Sequence, residues 1–346
     1  MGDEVAGPSP YYGGQAVIEG VMMRGARTWA IGVRRPGGEI WLERHRVSDL
    51  PQRVRLFSKP LFRGMFALVD ALAIGMRALA ISADQSVEED ERLSGGQMSG
   101  SLVIALLLFV GVFIVLPNVG LVFVSHQIGD GLLYHLTEGV VRIGIFLGYL
   151  FAISLLADIR RVFQYHGAEH KTIAAWEHGE PLEPAAVDRY STLHVRCGTN
   201  FLLMVMLIAI VLYSIAGSIV PAPDTGRLLR AGYHVLLRIL LLPVVAGLAY
   251  EGLRLGAGHD NLLVRGLMAP GLWLQKITTK PPTPDQIEVA IRAFQAVVPT
   301  GELASRAGAA LPSPVVWGPD EATEPLGPAD VAGMPVGDEG PASGRE

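Results

Sequence analysis

Cys197 is the only thiol in this 346-residue chain, so no internal disulfide can brace it. A lone cysteine fits a reducing compartment and leaves stability to packing. Charge is scarce as well: 18% of residues are charged against 50% hydrophobic. With a mean hydropathy of +0.37, that balance excludes an ordinary soluble globule and points to a membrane protein. There is no large basic block, and the net charge is −5, which argues against nucleic acid as a partner. Membrane lipids are the expected surroundings, with a protein partner or an oligomer left open. The first residues are polar and lack an apolar core, so no cleavable signal peptide is expected.

What the chain does have is long apolar runs. Nothing between Arg92 and Asp130 is charged, and residues 102–124 and 201–220 are almost wholly apolar. About 20 such residues in a helix cross a bilayer. Residues 139–157, with Arg142 near their start, and 235–250, with Arg238, are weaker spans whose arginines are expected to snorkel. Basic side chains crowd the first hundred residues, the 158–200 connection and the C-terminal part, and are few in the other two connections. Four spans with both termini in the cytoplasm satisfy that bias.

The expected fold class is a mainly α membrane protein with about four transmembrane helices, an interfacial amphipathic helix and a small N-terminal β-rich cytoplasmic unit. Residues 1–60 form the β-rich segment, where 28–34 and 39–46 flank the turn Arg35-Pro36-Gly37-Gly38. Residues 61–100 hold the interfacial helix and a linker. Arg63, Asp70 and Arg77 recur every seven residues there, on one stripe of an apolar helix, with their charges turned inward. The transmembrane bundle covers 101–260. Residues 261–298 form a C-terminal cytoplasmic segment, in which Thr283-Pro284-Asp285-Gln286 has the layout of a capped helix start. Ile287, Ile291, Phe294 and Val298 give that helix one apolar face. Residues 299–346, rich in Gly, Pro, Ala and acids, are expected to be disordered.

The chemistry-bearing residues fall in the 158–200 connection. His166 and His170 share a helix face with Glu169, and Glu177, His194 and Cys197 follow. Imidazole, carboxylate and thiolate are the ligand types that zinc or another divalent metal selects. Cys197 precedes the third span, where a helix N-terminus favours its thiolate. His166, His170, His194 and Cys197 are the candidate metal ligands, and Glu169 is the candidate catalytic base. His166-x-x-Glu169-His170 also matches the spacing of inverted zinc metallopeptidases, although Gly167 weakens a helix there. Asp158 and Glu251, at the cytoplasmic ends of the second and fourth spans, collect at the same surface, with His259 and Asp260 just beyond Glu251. The second helix is expected to run on unbroken through Asp158 to Glu177. Glu19 and Arg24 lie in a glycine-flanked N-terminal loop, where Glu19 is a candidate extra ligand or base. The same loop also reads as a turn-rich packing segment.

Gly13-Gly14-Gln15-Ala16-Val17-Ile18-Glu19-Gly20-Val21-Met22-Met23-Arg24-Gly25 resembles the signature of the YqhQ-like bacterial family, a domain of unknown function. His166-Gly167-Ala168-Glu169-His170-Lys171, His194-Val195-Arg196-Cys197-Gly198-Thr199 and Pro270-Gly271-Leu272-Trp273-Leu274-Gln275 are similar to its later blocks. The resemblance runs from about Tyr11 to Val298 and leaves the tail outside. It implies a multi-pass protein of the bacterial inner membrane, in a family described as predicted metal-dependent enzymes. The leading reading is therefore a membrane metalloprotein, zinc-like and hydrolytic, with a site at the cytoplasmic surface that Asp70 and residues 270–273 help to shape. The alternative is a non-enzymatic membrane scaffold or assembly factor whose polar cluster is structural. Transport ranks third, since Pro117 and Pro243 can break two spans but no charge lies mid-span.

Overall fold

Successive side chains of a strand point to opposite faces, and nearly continuous burial along residues 20–24 and 28–34 gives a sheet with two buried faces. The strands are β1 (Gly13–Val17), β2 (Gly20–Arg24), β3 (Thr28–Arg34) and β4 (Ile40–Arg46), joined antiparallel in sequence order. Arg35 N–H donates to the Glu39 carbonyl at 3.0 Å and closes the expected turn between β3 and β4. The structure is a computed structural model and describes residues 12–88, 92, 95–117, 132–194, 197–219, 227–257, 262–304 and 311–320.

The helices follow as α1 (Phe62–Gln85), α2 (Gly95–Val110), α3 (Leu132–Ser154), α4 (Ala157–Glu177), α5 (Gly198–Ile219), α6 (Arg227–Ala257), α7 (Leu262–Thr278) and α8 (Pro284–Gln295). Among the described residues five of them are long and apolar enough to cross a membrane: α1, α2, α3, α5 and α6. Four correspond to the expected spans, and α1 meets the same criterion. The protein is thus a mainly helical membrane protein with a five-stranded sheet near its N-terminus.

The sheet organises the polar end of the molecule. One face packs Val17, Met22, Trp29, Ile31 and Val33 against Ile74 and Ala78 of α1. The other packs Val21, Met23, Ala30, Ile40 and Leu42 against α4 and α8. Ile287, Ile291 and Phe294 of α8 are fully buried there, as the apolar face of that helix requires. Each contributes about 1.5–3 kcal/mol of burial. Thr283 and Gln286 form the expected capping box. Two of the three charges of α1 turn inward, Arg63 reaching Glu251 of α6 at 2.7 Å and Asp70 meeting Arg24 at 2.5 Å, whereas Arg77 is exposed.

Several expectations need correction. The second span does not continue into the site helix, because α3 stops at Ser154 and Leu156 is extended (φ −74, ψ 134) before α4 begins. Asp158 then occupies the first turn of α4, where a carboxylate suits the positive end of the helix dipole. It is exposed and takes no part in the site. The tail is not structureless from residue 299 on. Thr300–Ala304 is helical, and β5 (Val315–Asp320) adds parallel to β4. Buried Glu288 anchors that strand, accepting from Ser313 N–H at 2.8 Å and from its hydroxyl at 2.7 Å. Arg142 and Arg238 both pair with Glu138, Arg142 at 2.6 Å. Mutual neutralisation is the cheaper arrangement for charges among apolar helices. Finally, Pro243 leaves α6 continuous from Arg227 to Ala257. Residues 118–124 of the first expected span, His259, Asp260 and residues 321–346 lie outside the described residues.

Candidate metal centre

α4 lies between the sheet and the helical bundle, so its two sides have different partners. Tyr165, Ala168, Ile173 and Trp176 enter the core with α8. His166 and His170, one turn apart, turn to the segment before α5 and the end of α7. Their rings sit edge to face, 4.4 Å between centroids.

Each imidazole is fixed by a backbone carbonyl. His166 Nδ1–H donates to Thr278 O at 2.8 Å, and His170 Nδ1–H donates to Thr192 O at 2.5 Å. That places the lone pair of each ring on Nε2. The His166 Nε2 faces Cys197 Sγ at 3.3 Å, and the His170 Nε2 is buried without a hydrogen-bond partner among the described residues. His166, His170 and Cys197 offer ligand atoms that all lie within 4.8 Å of one another, a group that can hold a metal ion. Histidine ligands held through Nδ1 by carbonyls are a recurring outer-shell arrangement of metal sites. An orphaned, buried ring nitrogen beside a thiol and a second imidazole fits such an ion on its donor chemistry alone.

Electrostatics distinguishes the members. Burial, with the neighbouring His166 adding to it, pulls the His170 ring down to about 3, and burial lowers His166 too. Both rings are therefore neutral, the ligand form. Burial pushes the Cys197 thiol up to about 11, despite the Thr199 N–H (3.4 Å) and hydroxyl (3.2 Å) that contact its sulfur. The expected thiolate at the start of α5 is thus overturned for the metal-free chain, because desolvation outweighs the helix terminus. Glu169 is buried and rises to about 8, with the Gly14 N–H donating to it. Its carboxylate approaches His166 Nε2 at 4.0 Å.

Two glycines make the close approaches possible. A Cβ on Gly14 would lie 2.9 Å from Glu169 Cγ, and one on Gly167 would lie 2.2 Å from the Lys280 carbonyl. Gly167 therefore admits the strand-like stretch after α7 against α4 without breaking the helix. The N-terminal loop does lie against the site, but through Gly14. Glu19, at left-handed φ 51, pairs with Arg161 at 2.6 Å and accepts from the Tyr165 hydroxyl at 3.2 Å. It lies outside the His166/His170/Cys197 group, and Arg24 pairs with Asp70. His194 stands next to the group, 5.7 Å ring to ring from His170, and contacts Glu177 at 3.4 Å. Glu251 is held by Arg63, away from the cluster.

Gln275 carries a role not expected of it. Fully buried on α7, it accepts from the His194 N–H at 2.9 Å and donates to the His194 carbonyl at 2.9 Å and to Asn200 at 3.3 Å. This clamp holds the segment that delivers Thr192 O and Cys197. Its sequence signal was a polar residue inside an otherwise apolar stretch. Replacing Gln275 with Ala is expected to weaken metal binding by about 10–100-fold, the usual cost of an outer-shell loss, as read by competition with a zinc indicator.

These observations define a class: a multi-pass membrane protein with a buried His/His/Cys group at one end of its helices. The comparisons then place the chain. It belongs to the family described as "Protein of unknown function (DUF1385)", whose model matches residues 59–300. It is 35% identical over 301 residues to a Bacillus subtilis (strain 168) protein described as "Uncharacterized protein YqhQ", covering 82% of this chain and 91% of that one. The family resemblance carried by the sequence motifs is thereby borne out. No solved structure matches.

Proposed function

We propose that this chain is a zinc-dependent hydrolase of the bacterial inner membrane, with His166, His170 and Cys197 as its metal ligands and its site at the cytoplasmic surface. The observation that carries the reading is the buried, unpartnered Nε2 of His170, pinned in the ligand tautomer by Thr192 O. When bound, a zinc-like ion supplies Lewis acidity and activates water at neutral pH. The protein's own part is proton handling and exclusion of bulk water. Burial brings the Glu169 carboxyl to about 8, so it takes up and returns a proton near neutrality, the range that suits a general base. Three ligands among the described residues leave one position for a reacting group, the pattern of catalytic rather than structural sites. Lys/Arg bias supports cytoplasmic termini and puts the cluster on the same side.

Cobalt-substituted full-length protein in detergent tests the open position. A small hydroxamate is expected to shift the visible cobalt spectrum of the wild type. A spectrum indifferent to hydroxamate would indicate a closed, structural site, as the scaffold alternative requires. Glu169→Gln is expected to keep its cobalt and to lose hydrolytic turnover.

Zinc affinity should also depend on pH in a defined direction. With both imidazoles neutral and the thiol near 11 in the free chain, binding expels at least the thiol proton. Affinity is expected to rise about tenfold per pH unit between about 6 and 8. Titrations at three pH values check the slope, and a flat profile would remove Cys197 from the ligand set.

A further inference from the structure

A groove of about 720 Å3 opens between α1 and the rim of the sheet, remote from the metal site. Arg27, Arg46, Arg53 and Arg77 line it, together with Asp49 and Asp70. Both acids already face an arginine: Asp49 meets Arg53 at 2.6 Å, and Asp70 meets Arg24 at 2.5 Å. Behind the groove, buried Glu43 accepts from Trp41 at 2.8 Å and contacts His45 at 3.1 Å. Five arginines thus outweigh three carboxylates around one concavity. Trp29 lines the wall, with the Arg77 guanidinium 5.8 Å from its ring centroid. A concave, arginine-rich surface is suited to phosphate, which guanidinium groups bind through paired N–H donors.

The helix that forms one wall says where that phosphate comes from. Asp70, Ala73, Ile74 and Arg77 follow the i, i+3, i+4, i+7 spacing of a single stripe facing the groove. Val69, Leu72, Met76 and Leu79 make a second stripe that is exposed and apolar, with Val69 65% and Leu72 58% accessible. The start of α1 is tied to the end of the span α6. Leu61 N–H and Arg63 bind Glu251, and Gly64 sits against Gly247 and Tyr250. An apolar stripe held beside the end of a membrane span reaches acyl chains, while Arg77 on the neighbouring stripe and the arginines across the groove reach the headgroup layer.

We propose that this groove binds the phosphodiester headgroup of an anionic phospholipid, with Arg27, Arg46 and Arg77 on the phosphate and the exposed stripe of α1 on the acyl chains. The site does not depend on the metal centre or on the reaction assigned to it. It gives the sheet a lipid-anchored position relative to the bundle.

Native mass spectrometry of the full-length protein in neutral detergent tests the assignment. The probes are dioctanoyl phosphatidylglycerol, dioctanoyl phosphatidylcholine and inorganic phosphate. Phosphatidylglycerol is expected to bind at least about tenfold tighter than phosphatidylcholine, with inorganic phosphate too weak to displace it. Arg27→Gln/Arg46→Gln/Arg77→Gln is expected to lose about a hundredfold in phosphatidylglycerol affinity, while the matching triple Lys variant retains most of it. Should the Gln variant fail to fold, Leu72→Ser/Met76→Ser provides the second arm, lowering affinity for the lipid without touching the arginines. Equal binding of the two lipids, an unchanged affinity in a folded Gln variant, or displacement by inorganic phosphate would each overturn the proposal, the last by assigning a soluble phosphate ligand instead.

Discussion

Replacing His166 and His170 together with alanine is expected to abolish stoichiometric metal binding. Wild-type protein reconstituted with zinc should retain about one ion per chain after gel filtration, and the double variant essentially none. The reason is geometric. Two of three donors within 4.8 Å of one another disappear, and a lone Cys197, protonated below about pH 11, cannot hold an ion alone. Stability gives a second readout, because a ligand that binds only the folded state stabilises it by about 2.7 kcal/mol at a concentration 100 times its Kd. Zinc should therefore raise the melting temperature of the wild type and leave the variant unmoved. Since removing the rings also strips the Thr278 and Thr192 carbonyls of their donors, Cys197→Ser serves as a milder companion that preserves both. Equal zinc content in wild type and the double variant would end the metal reading.

The second large effect is expected at Gly167. An alanine methyl there would sit 2.2 Å from the Lys280 carbonyl, a backbone atom that cannot rotate aside. Lys280 N–H also donates to the Phe163 carbonyl at 2.8 Å, so α4 and the chain after α7 are joined at that point. Overpacking of this kind typically costs about 1–3 kcal/mol, and Gly167→Ala should fall at the upper end. Because Thr278, two residues before Lys280, holds His166, metal affinity should fall together with stability. A neighbouring substitution on the sheet side of α4, Ala175→Gly, should lower stability by about 1 kcal/mol while sparing the metal site. Denaturant titration and zinc competition on the same preparations separate the two outcomes.

Much of the molecule was legible in the sequence for definite physical reasons. Apolar runs of bilayer length and the Pro-Gly-Gly turn between residues 28–34 and 39–46 are local signals, and the helices and hairpin follow them. The seven-residue recurrence of Arg63, Asp70 and Arg77 announced a charged stripe, which is inward at Arg63 and Asp70 and exposed at Arg77. Its partners, Glu251 and Arg24, lie far away in the chain and had no local signature. The break at Leu156 had none either, since no Gly or Pro marks it. The strand at 315–320 was hidden by the low-complexity composition around it. It forms because β4 offers an open edge and Glu288 captures Ser313.

The candidate site divides along the same line. The residue types and their spacing determined that His166 and His170 share a face, that Glu169 lies beside them, and that a thiol arrives before the next span. They also determined that the thiol immediately precedes an apolar helix of bilayer length. Only the tertiary structure decided that Cys197 joins the two imidazoles while His194 turns to Glu177 and Glu19 to Arg161. Protonation was likewise decided in three dimensions, because burial, which no spacing encodes, raises the Cys197 thiol and the Glu169 carboxyl and keeps both imidazoles neutral. Helical periodicity is a property of neighbouring residues. Convergence joins α4 to Cys197, 31 residues beyond His166, and desolvation also needs segments far off in the chain, among them Thr278 of α7 and Gly14 of the sheet.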